Sequence, residues 1–167
     1  MVELELVGVR VELPANQPIV LLKERDGSRY LPIWIGAPEA TAIAFALQGV
    51  ETPRPLTHDL FVATLDALST SLTAVHVTRL NEGTFYAELH LERDGETVVV
   101  SARPSDAIAL AARLDDIPIL GAEDVLEEAG LEIDEDEAET GNEDPEEEVR
   151  MFREFLDNVD PEDFQRG

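Results

Sequence analysis

A strand–turn–helix pattern that occurs twice is the feature that most constrains the fold of this chain. The segment IWIGAPEATAIAFAL at 33–47 aligns with VVVSARPSDAIALAA at 98–112 when the sequence is shifted by 65 residues, from 33 to 98. Alanines and an isoleucine then coincide in the second part of each segment. A repeat of this kind predicts two copies of one supersecondary unit.

Stretches rich in valine and leucine precede each copy of the pattern, and turn residues such as Glu82-Gly83 and Asp94-Gly95 separate them. We therefore predict an α+β fold whose duplicated unit has three mostly antiparallel strands and a buried alanine-rich helix. The predicted strands are 2–13, 19–24, 30–35, 72–80, 84–91 and 97–100, and the predicted alanine-rich helices are 38–48 and 104–114.

An extra helix at 58–68 is predicted between the two halves. Thr57 is the expected N-cap, and Leu60, Phe61, Leu65 and Leu68 fall on one face. The two alanine-rich helices are apolar on nearly every side, which predicts burial between the sheet and another layer or at a subunit interface. A short helix is also predicted at 123–129, before Gly130.

The negative charge is concentrated at the C-terminal end of the chain. The formal net charge is −25, and residues 123–167 carry 20 Asp and Glu against 3 Arg, whereas residues 1–122 carry 17 against 9 Lys and Arg. We predict a domain at 1–130, an acidic disordered linker at 131–144 and an acidic amphipathic helix or tail at 145–167. The tail is expected to dock on its own domain or on a basic partner protein.

Composition excludes several classes of function. The chain has no cysteine, so disulfides, thiol nucleophiles and cysteine metal sites are absent. No apolar run approaches the roughly 20 residues of a membrane span, and no secretory segment opens the chain, so we expect a soluble cytoplasmic protein without membrane contact. The negative charge repels polyphosphates at long range, which restricts nucleic acid to a local site lined by arginines or to binding through divalent cations.

Two helix starts carry the polar residues that could perform chemistry. Arg54, His58 and Asp59 lie at the start of the helix between the halves. Either these residues only stabilise the start of the helix, where Asp59 is favoured by the helix dipole, or His58 transfers protons as a general acid or base. The other two histidines, His76 and His90, fall within predicted strands and are interpreted as residues of a strand face.

The second helix start is SARPSDAIALAAR at 101–113. Pro104 and Asp106 suit the first turn of a helix, and the same residues disfavour a simple phosphate cradle because proline lacks an amide donor and the carboxylate repels an anion. Two alternatives remain. Asp106 pairs with Arg103 or another arginine, or it holds a divalent cation together with Glu39 or Asp59.

Four segments resemble the bifunctional nuclease family: YLPIWIGAPEATAIAFALQG, PRPLTHDLF, GTFYAEL and ARPSDAIALAAR. The resemblance implies an α+β fold with a duplicated strand–helix unit, hydrolysis of both DNA and RNA, and self-association. One position departs from the pattern, since many members of the family have Asp where this chain has Ser101. The residues that match the strongest motifs are Glu39, Arg54, Thr57, His58, Asp59, Arg103, Pro104, Ser105, Asp106 and Arg113.

Two functions follow as hypotheses. In the first, the protein is a metal-assisted nuclease in which Mg²⁺ or Mn²⁺ is the cofactor. Its catalytic residues are His58, Asp59 and Asp106, its metal ligands are Glu39, Asp59 and Asp106, and its phosphate-binding residues are Arg54, Arg103 and Arg113. In the second, the protein is a non-enzymatic module that forms a homo-oligomer through its alanine-rich helices and binds a basic partner through its acidic tail.

Overall fold

A single eight-stranded sheet carries the fold in the computed structural model, which describes residues 1–12 and 14–132. Four helices accompany the sheet within these residues, so the α+β class is confirmed. The elements in chain order are β1 (Val2–Glu12), β2 (Gln17–Glu24), β3 (Arg29–Trp34), α1 (Ala37–Leu47), α2 (Thr57–Ala67), β4 (Thr70–Asn81), β5 (Thr84–Arg93), β6 (Glu96–Ala102), α3 (Pro104–Ala111), β7 (Ile119–Gly121), α4 (Glu123–Ala129) and β8 (Leu131–Glu132).

Two antiparallel three-stranded meanders build most of the sheet, whose order is β6-β5-β4-β7-β1-β2-β3-β8. The short strand β7 joins the meanders because it pairs antiparallel with β1 and parallel with β4. In each half, three antiparallel strands are followed by an alanine-rich helix. This is the order of elements that the internal alignment of residues 33–47 with 98–112 predicts. A common origin of the two halves stays a hypothesis.

Two tight turns connect the strands of the second meander. Glu82 and Gly83 have φ values of 49° and 76°, and Asp94 and Gly95 have φ values of 53° and 80°. Positive φ at two successive residues is the geometry of a type I′ turn, which matches the twist of an antiparallel hairpin. The glycine in the second place of each pair removes the steric cost of this conformation.

The hydrophobic core lies between the sheet and the helices, which share one face of the sheet. The second alanine-rich helix, α3, is buried from Ala107 to Ala111. The first, α1, buries Ala37, Ala40 and Ile43. Small side chains let α1 and α3 approach each other and the strands closely, as the alanine content predicts.

Gly121 in β7 fits this tight packing, since a Cβ atom there would lie 2.7 Å from Cδ1 of Leu126.

Three sequence predictions need correction. Leu56 is the N-cap of α2, and the predicted cap Thr57 is the first helical residue. The short strands β7 and β8 have no counterpart among the predicted elements. The first two residues of the predicted linker at 131–144 form β8, which pairs with β3. The rest of the linker and the predicted helix at 145–167 lie outside the described residues.

Exposed apolar side chains mark two surfaces. The predicted apolar face of α2 packs only in part, because Leu65 contacts the core whereas Leu60, Phe61 and Leu68 are exposed. The edge strand β6 exposes three consecutive valines, at 98–100. No helix among the described residues is long and apolar enough to cross a membrane.

Candidate active site

The starts of three helices converge on one polar cluster. Glu39 lies in the first turn of α1, His58 lies in the first turn of α2, and Asp106 lies in the first turn of α3, with Arg103 as its N-cap residue. Prolines near the first positions of α1 and α3 fix the backbone at those starts. The positive ends of the helix dipoles therefore meet where the carboxylates are placed.

Asp106 is the centre of this cluster because both of its carboxylate oxygens accept hydrogen bonds. Nε2 of His58 lies 3.0 Å from Oδ1, and Nε of Arg103 donates to Oδ2 at 2.7 Å. Nη2 of Arg103 donates to Oδ1 at 3.1 Å and also forms an ion pair with Oε1 of Glu39 at 2.9 Å. The carboxylate thereby connects α2 to α3, and Arg103 extends the connection to α1.

The pKa of Asp106 reflects two opposing effects. Burial acts to raise the pKa of this carboxyl, but the hydrogen bonds from Arg103 and His58 outweigh burial and hold the pKa below its usual value of 3.8. Asp106 is therefore a carboxylate at neutral pH and can only accept hydrogen bonds. Nε2 of His58 must then carry a hydrogen, which leaves Nδ1 of a neutral imidazole as an acceptor.

A second ion pair lies beside the cluster on α2. Nε of Arg113 is 2.6 Å from Oδ1 of Asp59, while Oδ2 of Asp59 accepts a hydrogen bond from the amide of Leu56. The Arg113 hydrogen bond is the main reason that the pKa of Asp59 is lowered, and the Leu56 amide adds to it. Arg113 also donates to the carbonyl of Ala109, so Asp59 fixes the start of α2 against the end of α3.

This second pair lines a cleft of about 370 Å³ between the end of α1, the start of α2 and the end of α3. Glu51 and Asp115 add acidic groups to its wall, and Phe45, Val50 and Leu56 add apolar ones. The exposure of the two arginines differs, since the Arg113 side chain is 9% exposed and the Arg103 side chain is 65% exposed. Arg103 is thus the arginine of the two that reaches solvent.

Arg54, a predicted site residue, and Ser101, which departs from the family pattern, lie away from the cluster. Arg54 belongs to the exposed loop before α2, and among the described residues no hydrogen bond or ion pair joins its side chain to the cluster. Ser101 lies in β6 directly across from Glu88 of β5 and lines a separate pocket with Arg79 and Tyr86. The departure from the family pattern at Ser101 therefore concerns that pocket and not the environment of His58.

The three carboxylates proposed as metal ligands are each paired with an arginine. Glu39 and Asp106 bind Arg103, and Asp59 binds Arg113. In the part of the chain that the structure describes, the three do not form a group whose ligand atoms lie within 4.8 Å of one another. As they stand, these residues do not fit a metal centre, and the dependence on Mg²⁺ or Mn²⁺ stays a prediction.

A group that the sequence interpretation missed lies on neighbouring strands. His76 of β4 stands directly across from Glu88 of β5, and His90 lies two residues beyond Glu88 on the same face of the strand. Burial is the main reason that the pKa of His76 is lowered, with a contribution from His90, while Glu88 opposes the shift. Glu88 and His90 occupy alternate positions of a predicted strand, and this spacing is the feature of the sequence that indicates the group.

Comparison with known proteins places the chain in a family. Residues 20–134 match the family described as the bifunctional nuclease domain. The chain belongs to this bifunctional nuclease domain family. All four residues of the polar cluster lie inside the matched segment, which covers more than half of the sequence.

Two relatives in Mycobacterium tuberculosis match almost the whole chain. They are the uncharacterized protein MT1877 of strain CDC 1551 / Oshkosh and the uncharacterized protein Rv1829 of strain ATCC 25618 / H37Rv. Each is 53% identical over 166 residues, which are 99% of this chain and 99% of the relative. The similarity therefore extends beyond the domain into the acidic C-terminal segment.

The hydrogen bonds of Asp106 predict a pH-dependent contribution to stability. The substitution Asp106→Asn should lower the free energy of unfolding at pH 7 by about 1–3 kcal/mol, because charge-assisted hydrogen bonds are lost. Since the folded-state pKa is below 3.8, this difference is complete above pH 3.8 and disappears as the pH falls through the lower folded-state pKa. Urea unfolding of both proteins across this range measures it.

Asp66→Asn, at an exposed position of α2, is the matched control and should change the free energy of unfolding by no more than about 0.5 kcal/mol. A difference between wild type and Asp106→Asn that stays constant down to strongly acidic pH would contradict the charge-assisted pairing.

Proposed function

We propose that the protein is a nuclease that hydrolyses phosphodiester bonds of DNA and RNA, with His58 as the general base. The observation that carries the proposal is the 3.0 Å contact between His58 Nε2 and the Asp106 carboxylate, in a chain of the bifunctional nuclease domain family. A histidine oriented by a carboxylate is an arrangement that supports proton transfer near neutral pH.

The proton is taken up at Nδ1 of His58, the ring nitrogen that does not face Asp106. Asp106 holds the hydrogen on Nε2, so Nδ1 accepts a proton from a water molecule as the water oxygen attacks phosphorus. The bond from phosphorus to the leaving oxygen then breaks, that oxygen takes up a proton from solvent, and His58 returns its own proton to solvent, which restores the neutral base. Because the nucleophile is water, the reaction needs no 2′-hydroxyl, which accounts for action on both DNA and RNA.

Arg103 is proposed to stabilise the negative charge that develops on the phosphoryl oxygens. Its side chain is 65% exposed and stands beside His58 at the start of α3, so its guanidinium can reach a phosphoryl oxygen of a bound substrate. Its carboxylate partners Asp106 and Glu39 keep the guanidinium in place without covering it. In a protein of net charge −25, such a local site is the way for a polyanion to bind.

Asp59, Arg113 and Arg54 receive supporting roles. Asp59 and the largely buried Arg113 are positioning residues, since their ion pair fixes the first turn of α2 and hence His58. Arg54, exposed in the loop four residues before His58, is proposed to contact the substrate backbone. Mg²⁺ or Mn²⁺ is proposed as a cofactor with Glu39, Asp59 and Asp106 as its candidate ligands, and no step of the proton transfer above depends on it.

Cleavage assays on single-stranded DNA and RNA test this proposal. His58→Ala should lower the rate by about 10²–10⁴-fold through loss of the base, and Asp106→Asn should lower it by loss of the oriented tautomer. Asp66→Asn is the control and should retain wild-type activity. Each protein is assayed with Mg²⁺, with Mn²⁺ and with a chelator alone.

Equal cleavage by wild type, His58→Ala and Asp106→Asn after repurification would identify a contaminant and overturn the proposal. Cleavage of RNA but not of DNA would overturn water as the nucleophile, because it would implicate the 2′-hydroxyl.

A self-associating module is the second candidate function, and the exposed edge of the sheet favours it. Among the described residues, strand β6 ends the sheet and its backbone is unpaired on one side. Val98, Val99 and Val100 of this strand are 45%, 50% and 41% exposed. An apolar edge strand of seven residues can pair antiparallel with the same strand of a second copy. The sequence predicts association through the alanine-rich helices, but α3 is buried within its own chain, so we assign the association to β6 instead.

Light scattering coupled to size exclusion measures this association against the chain mass of 18.4 kDa. Val99→Lys should convert a dimer to a monomer, because the charge would be placed in the paired edge. Asn81→Lys, at an exposed position of the β4–β5 hairpin, adds the same charge elsewhere and should leave the dimer intact. A Val99→Lys protein that stays dimeric would rule out pairing through β6.

A further inference from the structure

Two histidines and a glutamate form a compact group on the sheet face opposite the helices. Val75, Val77, Ala87 and Leu89 of β4 and β5 point into the core, so the residues that alternate with them point to the other side. His76, Glu88 and His90 are among these. This group is separated from the His58 cluster by the thickness of the sheet, and neither proposed function uses it.

The contacts within the group are close. The ring centroids of His76 and His90 lie 3.7 Å apart, and the rings are tilted by 33°. Oε2 of Glu88 lies 3.5 Å from Nε2 of His90. One potential ligand atom from each of the three side chains lies within 4.8 Å of the other two. Among the described residues, no other group of three or more His, Asp or Glu side chains meets this condition.

Nε2 of His90 lacks a hydrogen-bond partner in the described part of the chain. The atom is buried, and it has no hydrogen-bond partner among the described residues; the Glu88 oxygen at 3.5 Å does not form a hydrogen bond with it. A buried polar nitrogen without a partner is unfavourable, and such groups in native proteins call for an explanation. A metal ion between the three side chains would supply the missing partner.

We propose that His76, Glu88 and His90 bind one divalent transition-metal ion of the zinc class. Two imidazoles and one carboxylate are ligands that Zn²⁺ prefers, whereas Mg²⁺ and Ca²⁺ prefer oxygen ligands alone. Ligands at about 2.0–2.1 Å from a tetrahedral ion lie roughly 3.3 Å from one another. The 3.5 Å separation of Glu88 and His90 is near this value. The ligand atom of His76 lies within 4.8 Å of the other two, so it needs to move inward by no more than about 1.5 Å to reach the same spacing.

Three protein ligands leave one place of a tetrahedral ion for a further ligand. Three protein ligands with an open fourth place are typical of a catalytic or exchangeable zinc site, and closed structural sites use four. Glu88 also lines a shallow pocket of about 310 Å³ with Arg79, Tyr86 and Ser101. The guanidinium of Arg79 lies 4.1 Å from the centroid of the Tyr86 ring, so a cation flanks this pocket. The open position therefore suits water or an anionic oxygen ligand.

Calorimetric titration of the full chain with ZnCl₂ after chelator treatment tests the site. Wild type should bind one Zn²⁺ per chain at this site, and both His90→Ala and Glu88→Gln should weaken that binding by at least roughly ten-fold. The Glu88 side chain is 39% exposed, so Glu88→Gln provides a mild variant if His90→Ala fails to fold. Replacement of Zn²⁺ by Co²⁺ should give the visible absorption of a four-coordinate ion in wild type and not in His90→Ala or Glu88→Gln.

His58→Ala is the matched control, because it removes the third histidine of the chain from a different site and should bind Zn²⁺ as wild type does. The variant His76→Ala/His90→Ala measures binding by the acidic C-terminal segment, which it retains. Wild-type affinity in this double variant, or displacement of Zn²⁺ by equimolar Mg²⁺, would overturn the proposal.

Discussion

The hydrogen bonds accepted by the Asp106 carboxylate are the interactions on which the placement of the helices depends. Donors from Arg103 and His58 occupy both of its oxygens, and Arg103 continues to Glu39, so one carboxylate joins the starts of α1, α2 and α3. The apolar face of α2 is mostly exposed, which leaves few core contacts to hold this helix. Its polar first turn, fixed to α3 by His58 and Asp59, therefore sets where the helix lies.

Local sequence features predicted the parts of the fold that depend on local physics. The Glu82-Gly83 and Asp94-Gly95 turns and the helix starts at Pro38 and Pro104 follow from the backbone preferences of those residues. Strand β7 was not predicted, because three residues are too few to show a hydrophobic periodicity. Its pairing with both β1 and β4 depends on contacts between residues distant in sequence. The same limit applies to the ion pair of Asp59 with Arg113, which are 54 positions apart.

The histidines of the strands show why a site can be missed. Near the hairpin turn, Arg79 pairs with Tyr86, and a regular ladder from there would place His76 across from Leu89. A bulge at Thr78 shifts the register by one residue, so His76 faces Glu88 instead. No turn residue or composition bias marks this bulge, and only the paired strands reveal that His76, Glu88 and His90 share one face.

The two faces of the sheet thus present different chemistry: a hydrogen-bonded His58–Asp106 pair among helix starts on one, and a group of imidazole and carboxylate ligands on the other. A double-mutant cycle of His58→Ala and Asp106→Ala, read out as the free energy of unfolding at pH 7, tests the first most directly. Direct pairing predicts a coupling free energy of about 0.5–3 kcal/mol between the two positions. Additivity within about 0.3 kcal/mol would contradict it, because the two side chains would then act independently.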